Sequence, residues 1–219
     1  MKIVVLDSLE AVAKKSLEYV KGPSIAVSGG TTFAAIFRYW LSDIKGRVER
    51  GESMRFFPVD ERKVPFEDPQ CNWKVCHEEL LRPAGLDSQK NHYVTTAEQY
   101  RALLNREFNS GPVIFDSIFL GMGEDGHTAS LFPGGDALKD TTSLVIDVTG
   151  PKPPPQRVTL GLKPLWECRT LITIALGVSK VAMVKRLRDG DRNLPVAMAM
   201  AAHPNAVLLL DRAAAGEIE

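Results

Sequence analysis

Cysteine is scarce. Cys71, Cys76 and Cys168 are the only three in 219 residues, an odd and sparse set unlike the even, dense pattern of a disulfide framework, and a reducing compartment suits it best. No apolar run approaches the ~18 residues that cross a membrane, and the apolar stretch before Asp7 is too short for a signal-peptide core. An excess of one charge is missing as well: 27 Lys and Arg stand against 27 Asp and Glu, a net charge of zero. No global field is left to hold nucleic acid or an anionic membrane. The expectation is a cytoplasmic protein with no nucleic-acid or membrane partner and no obligate protein partner. The glycines and prolines lack the period or blocks of collagen-like and low-complexity chains. No G-x-S-x-G run exists, so a serine hydrolase triad has no obvious nucleophile.

What is present is a regular alternation of short apolar runs with stretches of helical spacing, the pattern of an α/β domain with a mostly parallel, doubly wound sheet flanked by helices. Strands are predicted over 2–6, 24–27, 54–59, 116–122, 143–148, 157–162, 171–176 and 206–210, and helices over 9–20, 33–41, 73–81, 98–108, 180–188 and 196–201. No linker interrupts the series, which predicts a single domain over 1–219. The proline-rich stretch Gly150-Pro-Lys-Pro-Pro-Pro-Gln156 reads as a stiff surface connector near which strand direction could reverse.

Three stretches carry candidate chemistry. Ser28, Gly29, Gly30, Thr31 and Thr32 lie between a strand and a helix, where glycines let backbone N–H groups turn toward an anion at a helix N-terminus. A tight turn with a capping threonine fits the same residues. The second stretch, Gly121-Met-Gly-Glu-Asp-Gly126, matches the G-x-G-x-x-G dinucleotide fingerprint but not its context, because Pro133-Gly134-Gly135 cuts short the helix that the fingerprint must open. What remains there is Gly123, Asp125 and His127 in a glycine loop at a strand's C-terminal end. A carboxylate beside an imidazole suits general base work there, and a structural histidine is the competing reading. The third stretch, Asp60-Glu61-Arg62, ends another strand, so Asp60 and Arg62 could share the same crevice; a surface ion pair is the alternative. Arg157 and Lys180 are further phosphate candidates. Cys71, Cys76 and His77 have neither the spacing nor the fourth ligand of a metal site, so no metal is expected.

Taken together, Ser28-Gly-Gly-Thr-Thr32, Asp60-Glu-Arg62 with Val64-Pro65 and Asn72, and above all the run Gly121-Met-Gly-Glu-Asp-Gly-His-Thr-Ala-Ser-Leu-Phe-Pro-Gly134 resemble the 6-phosphogluconolactonase family of the glucosamine/galactosamine-6-phosphate isomerase superfamily. Arg157-Val-Thr-Leu160 and Gly177-Val-Ser-Lys180 follow in the family's order. The resemblance implies a sugar-phosphate isomerase-like fold of the NagB/RpiA type and hydrolysis of 6-phospho-D-glucono-1,5-lactone, a small-molecule phosphosugar lactone, without a cofactor. It implies His127 as base, with Asp125 or Asp60 orienting it or the water. Ser28 to Thr32, Arg62, Gly123, Arg157 and Lys180 would hold the substrate. Glucosamine-6-phosphate deaminases share these loops but carry a glutamate before the proline where this chain has Phe132, and usually a tyrosine where it has Arg62. A non-catalytic sugar-phosphate sensor is the remaining alternative. The chain departs from the family pattern at Phe33, where proline is common, at Pro58-Val59, and at Trp73.

Overall fold

A computed structural model describes residues 1–216. In chain order the elements are β1 (Lys2–Leu6), α1 (Leu9–Leu17), β2 (Ser24–Val27), α2 (Gly30–Glu49), β3 (Arg55–Pro58), β4 (Asp60–Arg62), α3 (Asn72–Cys76), α4 (Ala97–Glu107), β5 (Ser117–Gly121), β6 (Val145–Thr149), β7 (Gln156–Leu160), α5 (Leu162–Glu167), β8 (Leu171–Ala175), α6 (Val181–Arg188), α7 (Pro195–Ala201), β9 (Ala206–Asp211) and α8 (Arg212–Ala215). Local chemistry sets several of the ends. Ser8 and Thr96 cap α1 and α4 by accepting from Ala11 N and Gln99 N, and Pro195 opens α7, where its missing N–H costs nothing.

Six strands form an all-parallel sheet in the order β1-β9-β8-β5-β2-β3. Parallel sheets survive when both faces are covered, and the residues alternate accordingly. In β9, Ala206, Leu208 and Leu210 enter one core cluster while Val207 and Leu209 enter the other. In β5, Ile118 and Leu120 face the first and Phe119 the second. Residues of α1, α2 and α3 fill the second cluster, and residues of α4, α5 and α7 the first. The sheet is therefore doubly wound, as the alternation of apolar runs implies.

A second, antiparallel sheet runs β4-β7-β6 and adds Val145, Val158 and Leu160 to the first cluster. The proline-rich segment joins β6 to β7, so strand direction does reverse there. The strand predicted over 54–59 is the principal correction. It stops at Pro58, and the chain passes into the second sheet as β4. Val59 is the joint: its N–H donates to Val27 O and its carbonyl accepts from Leu160 N, one bond to each sheet.

Helix α2 is far longer than the predicted 33–41, because the apolar spacing Phe37, Trp40, Ile44 carries its buried face beyond the polar pair Ser42-Asp43. Phe33 is fully buried inside it. The predicted helix over 73–81 begins one residue earlier and widens into a π turn at His77–Leu81. Residues 161 and 162 leave the predicted strand: β7 ends at Leu160, Gly161 is the N-cap residue of α5 and Leu162 starts it, with Pro164 in the first turn. The short α8 and a 3-10 turn at Asp87–His92 carry no periodic signal of their own. Among the described residues no helix is long and apolar enough to cross a membrane.

Candidate active site

Strand β2 leads outward to β3, and β5 leads the other way to β8, so the sheet order reverses between β2 and β5. Open α/β sheets bind ligands outside the carboxyl ends of strands at such a point. A cleft of about 190 Å³ lies there, and Ser28 to Thr32, Asp60, Arg62, Asn72, Gly121 and Lys180 all contribute to its wall. The ends of β2, β4 and β5 thus meet at this cleft, but His127, expected from the sequence to share it, is not among the residues of its wall.

After β2 the chain turns directly into α2. Gly30 takes φ +83°, in the left-handed region, although a Cβ there would meet nothing, so its glycine answers to backbone conformation and not to space. Gly29 answers to space: a Cβ on it would lie 2.3 Å from Asn72 Cγ. Gly29 is the N-cap residue and no side chain caps the helix. The first backbone N–H groups of a 20-residue helix therefore open at the cleft wall. Ser28 Oγ accepts from Gly121 N at 3.3 Å, which ties this loop to the end of β5.

The loop after β5 lines the cleft at Gly121 and Met122 and again at Ala129, with His127 between. Asp125 Oδ1 is paired with His127 Nδ1. Burial pushes the Asp125 carboxyl up, but hydrogen bonds and charge from His127 outweigh it and hold the group below its ordinary value. The imidazole also packs on Phe132, with ring centroids 4.9 Å apart. On the same phenyl ring rests the Arg157 guanidinium, 5.4 Å from the centroid. Gly123, Asp125, His127 and Arg157 are not in the cleft wall itself: Gly123 and Asp125 lie against His127, and Phe132 carries His127 and Arg157 on one ring.

Asp60 is bonded elsewhere than to the imidazole. Its Oδ2 accepts from Ser130 Oγ at 2.6 Å, so Asp125 alone of the two carboxylates holds His127. Arg62 and Arg157 face each other across the β4–β7 pair. Like charges directly opposite repel. Burial, with the Arg62 charge adding to it, lowers the Arg157 pKa against the pull of Asp60 and Glu61. Arg157 Nε and Nη2 donate to the carbonyls of Pro154 and Lys152, and Arg62 Nη1 donates to Gln70 O. Arg62 Nε is buried with no partner among the described residues. A pair of guanidinium groups in this condition favours an anion.

Lys180 closes a 3-10 turn that starts at Gly177, whose φ of +86° again needs glycine. The Gly177 N–H donates to Asp211 Oδ1 at 3.0 Å, and Asp211 also caps α8 through Ala214 N at 2.7 Å. Sequence reasoning missed Glu61, Ser130 and Phe132 as parts of the site. Glu61 and Ser130 are buried polar groups whose partners lie 11 and 70 residues away, so no local pattern marks them. Among the described residues no group of three or more His, Cys, Asp or Glu could hold a metal.

Residues 3–208 match the family described as glucosamine-6-phosphate isomerases/6-phosphogluconolactonase. The chain is 38% identical over 170 residues to a 6-phosphogluconolactonase of Bos taurus, covering 71% of this chain and 65% of that protein. It therefore spans about 65% of the length of that relative. It is 30% identical over 236 residues to a 6-phosphogluconolactonase of Mycobacterium bovis, covering 97% and 95% of the two. The solved structure of 6-phosphogluconolactonase from Trypanosoma cruzi superposes with a TM-score of 0.83 at 25% identity, covering 99% of this chain and 96% of that one. By family match, identity and superposition alike, the chain belongs to the glucosamine-6-phosphate isomerase/6-phosphogluconolactonase family.

Proposed function

We propose that this chain hydrolyses 6-phospho-D-glucono-1,5-lactone to 6-phospho-D-gluconate, with His127 as the base. The observation that carries the reading is the Asp125–His127 pair beside the cleft at the end of β5. With Nδ1–H donated to Asp125, the lone pair of the neutral ring lies on Nε2, the tautomer that accepts a proton. His127 Nε2 takes a proton from water as the water oxygen bonds to the lactone carbonyl carbon. The bond from that carbon to the ring oxygen then breaks, and the Nε2 proton passes to the departing oxygen. The new carboxylic acid releases its own proton to solvent, so the base ends as it began.

The phosphate would lie against the start of α2, where free N–H groups and the helix dipole favour an anion, with Arg62 and Lys180 from the facing walls. Arg157 adds charge from behind Phe132. Binding energy spent on this remote group positions the carbonyl. Phe132 argues against the deaminase alternative: it occupies the place of that enzyme's glutamate, packs on His127 and has no proton to shuttle. The three free cysteines, all buried, fit the reducing environment of the cytoplasm.

The test generates the lactone in situ with glucose-6-phosphate dehydrogenase and follows coupled phosphogluconate oxidation above the spontaneous rate. Acceleration by wild type that His127→Ala lacks is the expected result. No acceleration by folded wild type overturns the reading and directs attention to ammonia release from glucosamine 6-phosphate.

A further inference from the structure

Glu61 is fully buried, yet its carboxylate is the most heavily engaged near the cleft. Oε1 accepts from Arg62 N at 2.7 Å and Asn72 N at 2.9 Å; Oε2 accepts from Trp73 N at 2.6 Å and the Cys71 thiol at 3.4 Å. Two of those partners, Arg62 and Asn72, belong to residues of the cleft wall. Asn72 reaches further: its side chain donates to Asp60 O at 3.2 Å and sits so close to Gly29 that no Cβ fits between them. One carboxylate thus pins β4 to the start of α3, and through Asn72 braces the turn into α2.

We propose that Glu61 is a positioning residue for anion binding: it fixes Arg62 and Asn72 relative to the N-terminus of α2, so that the phosphate donors converge before substrate arrives. The alternative is a capping group that serves folding alone. The two differ because a cap needs only the α3 amides, whereas Glu61 divides its bonds between α3 and the strand that carries Arg62. Preorganised donors aid binding by avoiding rearrangement when the ligand docks. Burial pushes the Glu61 carboxyl up to about 7 against the backbone donors of Asn72, Trp73 and Arg62, so measurements belong above that midpoint. The inference rests on the phosphate-binding reading of the cleft and not on the lactone chemistry.

The experiment compares wild type, Glu61→Gln and Glu61→Asp by calorimetric titration with 6-phosphogluconate and with inorganic phosphate. Glutamine replaces one acceptor oxygen by a donor facing a backbone N–H; aspartate keeps the charge but draws it back. Kd for both probes should rise by about 10- to 100-fold in Glu61→Gln, the scale on which the supporting partner behind a ligating group matters, and by less in Glu61→Asp. In the lactone assay KM should follow Kd while kcat at saturation stays within about threefold, because no group on the reacting atoms is touched. Wild-type Kd in folded Glu61→Gln overturns the inference. Should both variants fail to fold, hydrogen exchange on wild type decides: 6-phosphogluconate should slow exchange of the Asn72 and Trp73 amides, and unchanged exchange overturns the proposal. A wild type that binds 6-phosphogluconate without hydrolysing the lactone overturns the activity alone, and one that binds neither probe overturns both.

Discussion

The backbone of Gly123 lies against the imidazole of His127 so closely that a Cβ on it would sit 2.0 Å from Nδ1 and 2.7 Å from Asp125 Oδ1. Its own N–H donates to His127 O at 2.8 Å, closing the loop around the ring. Gly123→Ala should therefore leave the sheet intact and push the imidazole off Asp125. We expect kcat to fall about 10²-fold, the scale of an ångström of misplacement, with little change in far-UV circular dichroism. Wild-type kcat would mean that the ring position does not limit the reaction.

Asp125→Asn keeps the size of the side chain but allows the imidazole to take the opposite tautomer. Loss of kcat by about 10²- to 10⁴-fold is expected, comparable with loss of the base itself. Steady-state kcat/KM of Asp125→Asn set beside that of His127→Ala checks it, and wild-type turnover in Asp125→Asn would mean that the carboxylate does not hold the ring for the reaction.

Lys180→Ala should act on binding. Lys180 shares the cleft wall with the start of α2 but comes from the opposite side, after β8. A rise in KM for the phosphorylated lactone with kcat largely retained is the expected outcome of steady-state kinetics. An unchanged KM would remove Lys180 from the phosphate site.

Phe132 is 8% exposed and carries His127 and Arg157 on one ring. Gly150 leaves it room, since a Cβ there would lie 2.7 Å from Phe132 Cε2. Phe132→Ala should cost about 3–5 kcal/mol in urea unfolding, as for other buried aromatics, and should lower kcat as well because the imidazole loses its wall. Unfolding and turnover measured on the same preparation separate the two effects.

His92 gives a pH dependence of stability away from the cleft. Its Nδ1 lies 2.6 Å from Phe56 O and the ring stacks on Phe57, 5.0 Å between centroids. Burial first of all, with Arg106 and Arg55 adding to it, holds its pKa below the ordinary 6.5, against Phe56 O and the Glu107 carboxylate. Between the depressed value and 6.5 the unfolded chain binds a proton that the folded chain does not. Stability is therefore full above 6.5 and falls as pH drops through that window. Thermal unfolding should show a lower Tm on acidification, and His92→Gln should flatten that slope.

Much of the fold is legible because it rests on local periodicity. The four-residue run Ser24–Val27 and the run Ala206–Asp211 of β9 are short apolar segments of the kind that strands buried on both faces present. The loops at Ser28 to Thr32 and Gly121 to His127 are legible for the same reason: glycine there marks positive φ at Gly30 and Gly126, and close approach at Gly29 and Gly123. The crossing from β3 to β4 is not legible, because Val59 looks like any strand residue until its two bonds to two different sheets are seen.

The amino-acid sequence by itself therefore determines the doubly wound sheet, the glycine turns and the Asp125-Gly126-His127 neighbourhood, each set by residues close along the chain. Only the tertiary structure decides that Asp60 bonds Ser130 instead of His127, that Arg62 faces Arg157, and that Glu61 braces the cleft wall. These depend on packing between elements far apart in sequence, where a one-residue change in strand register moves a side chain to the opposite face.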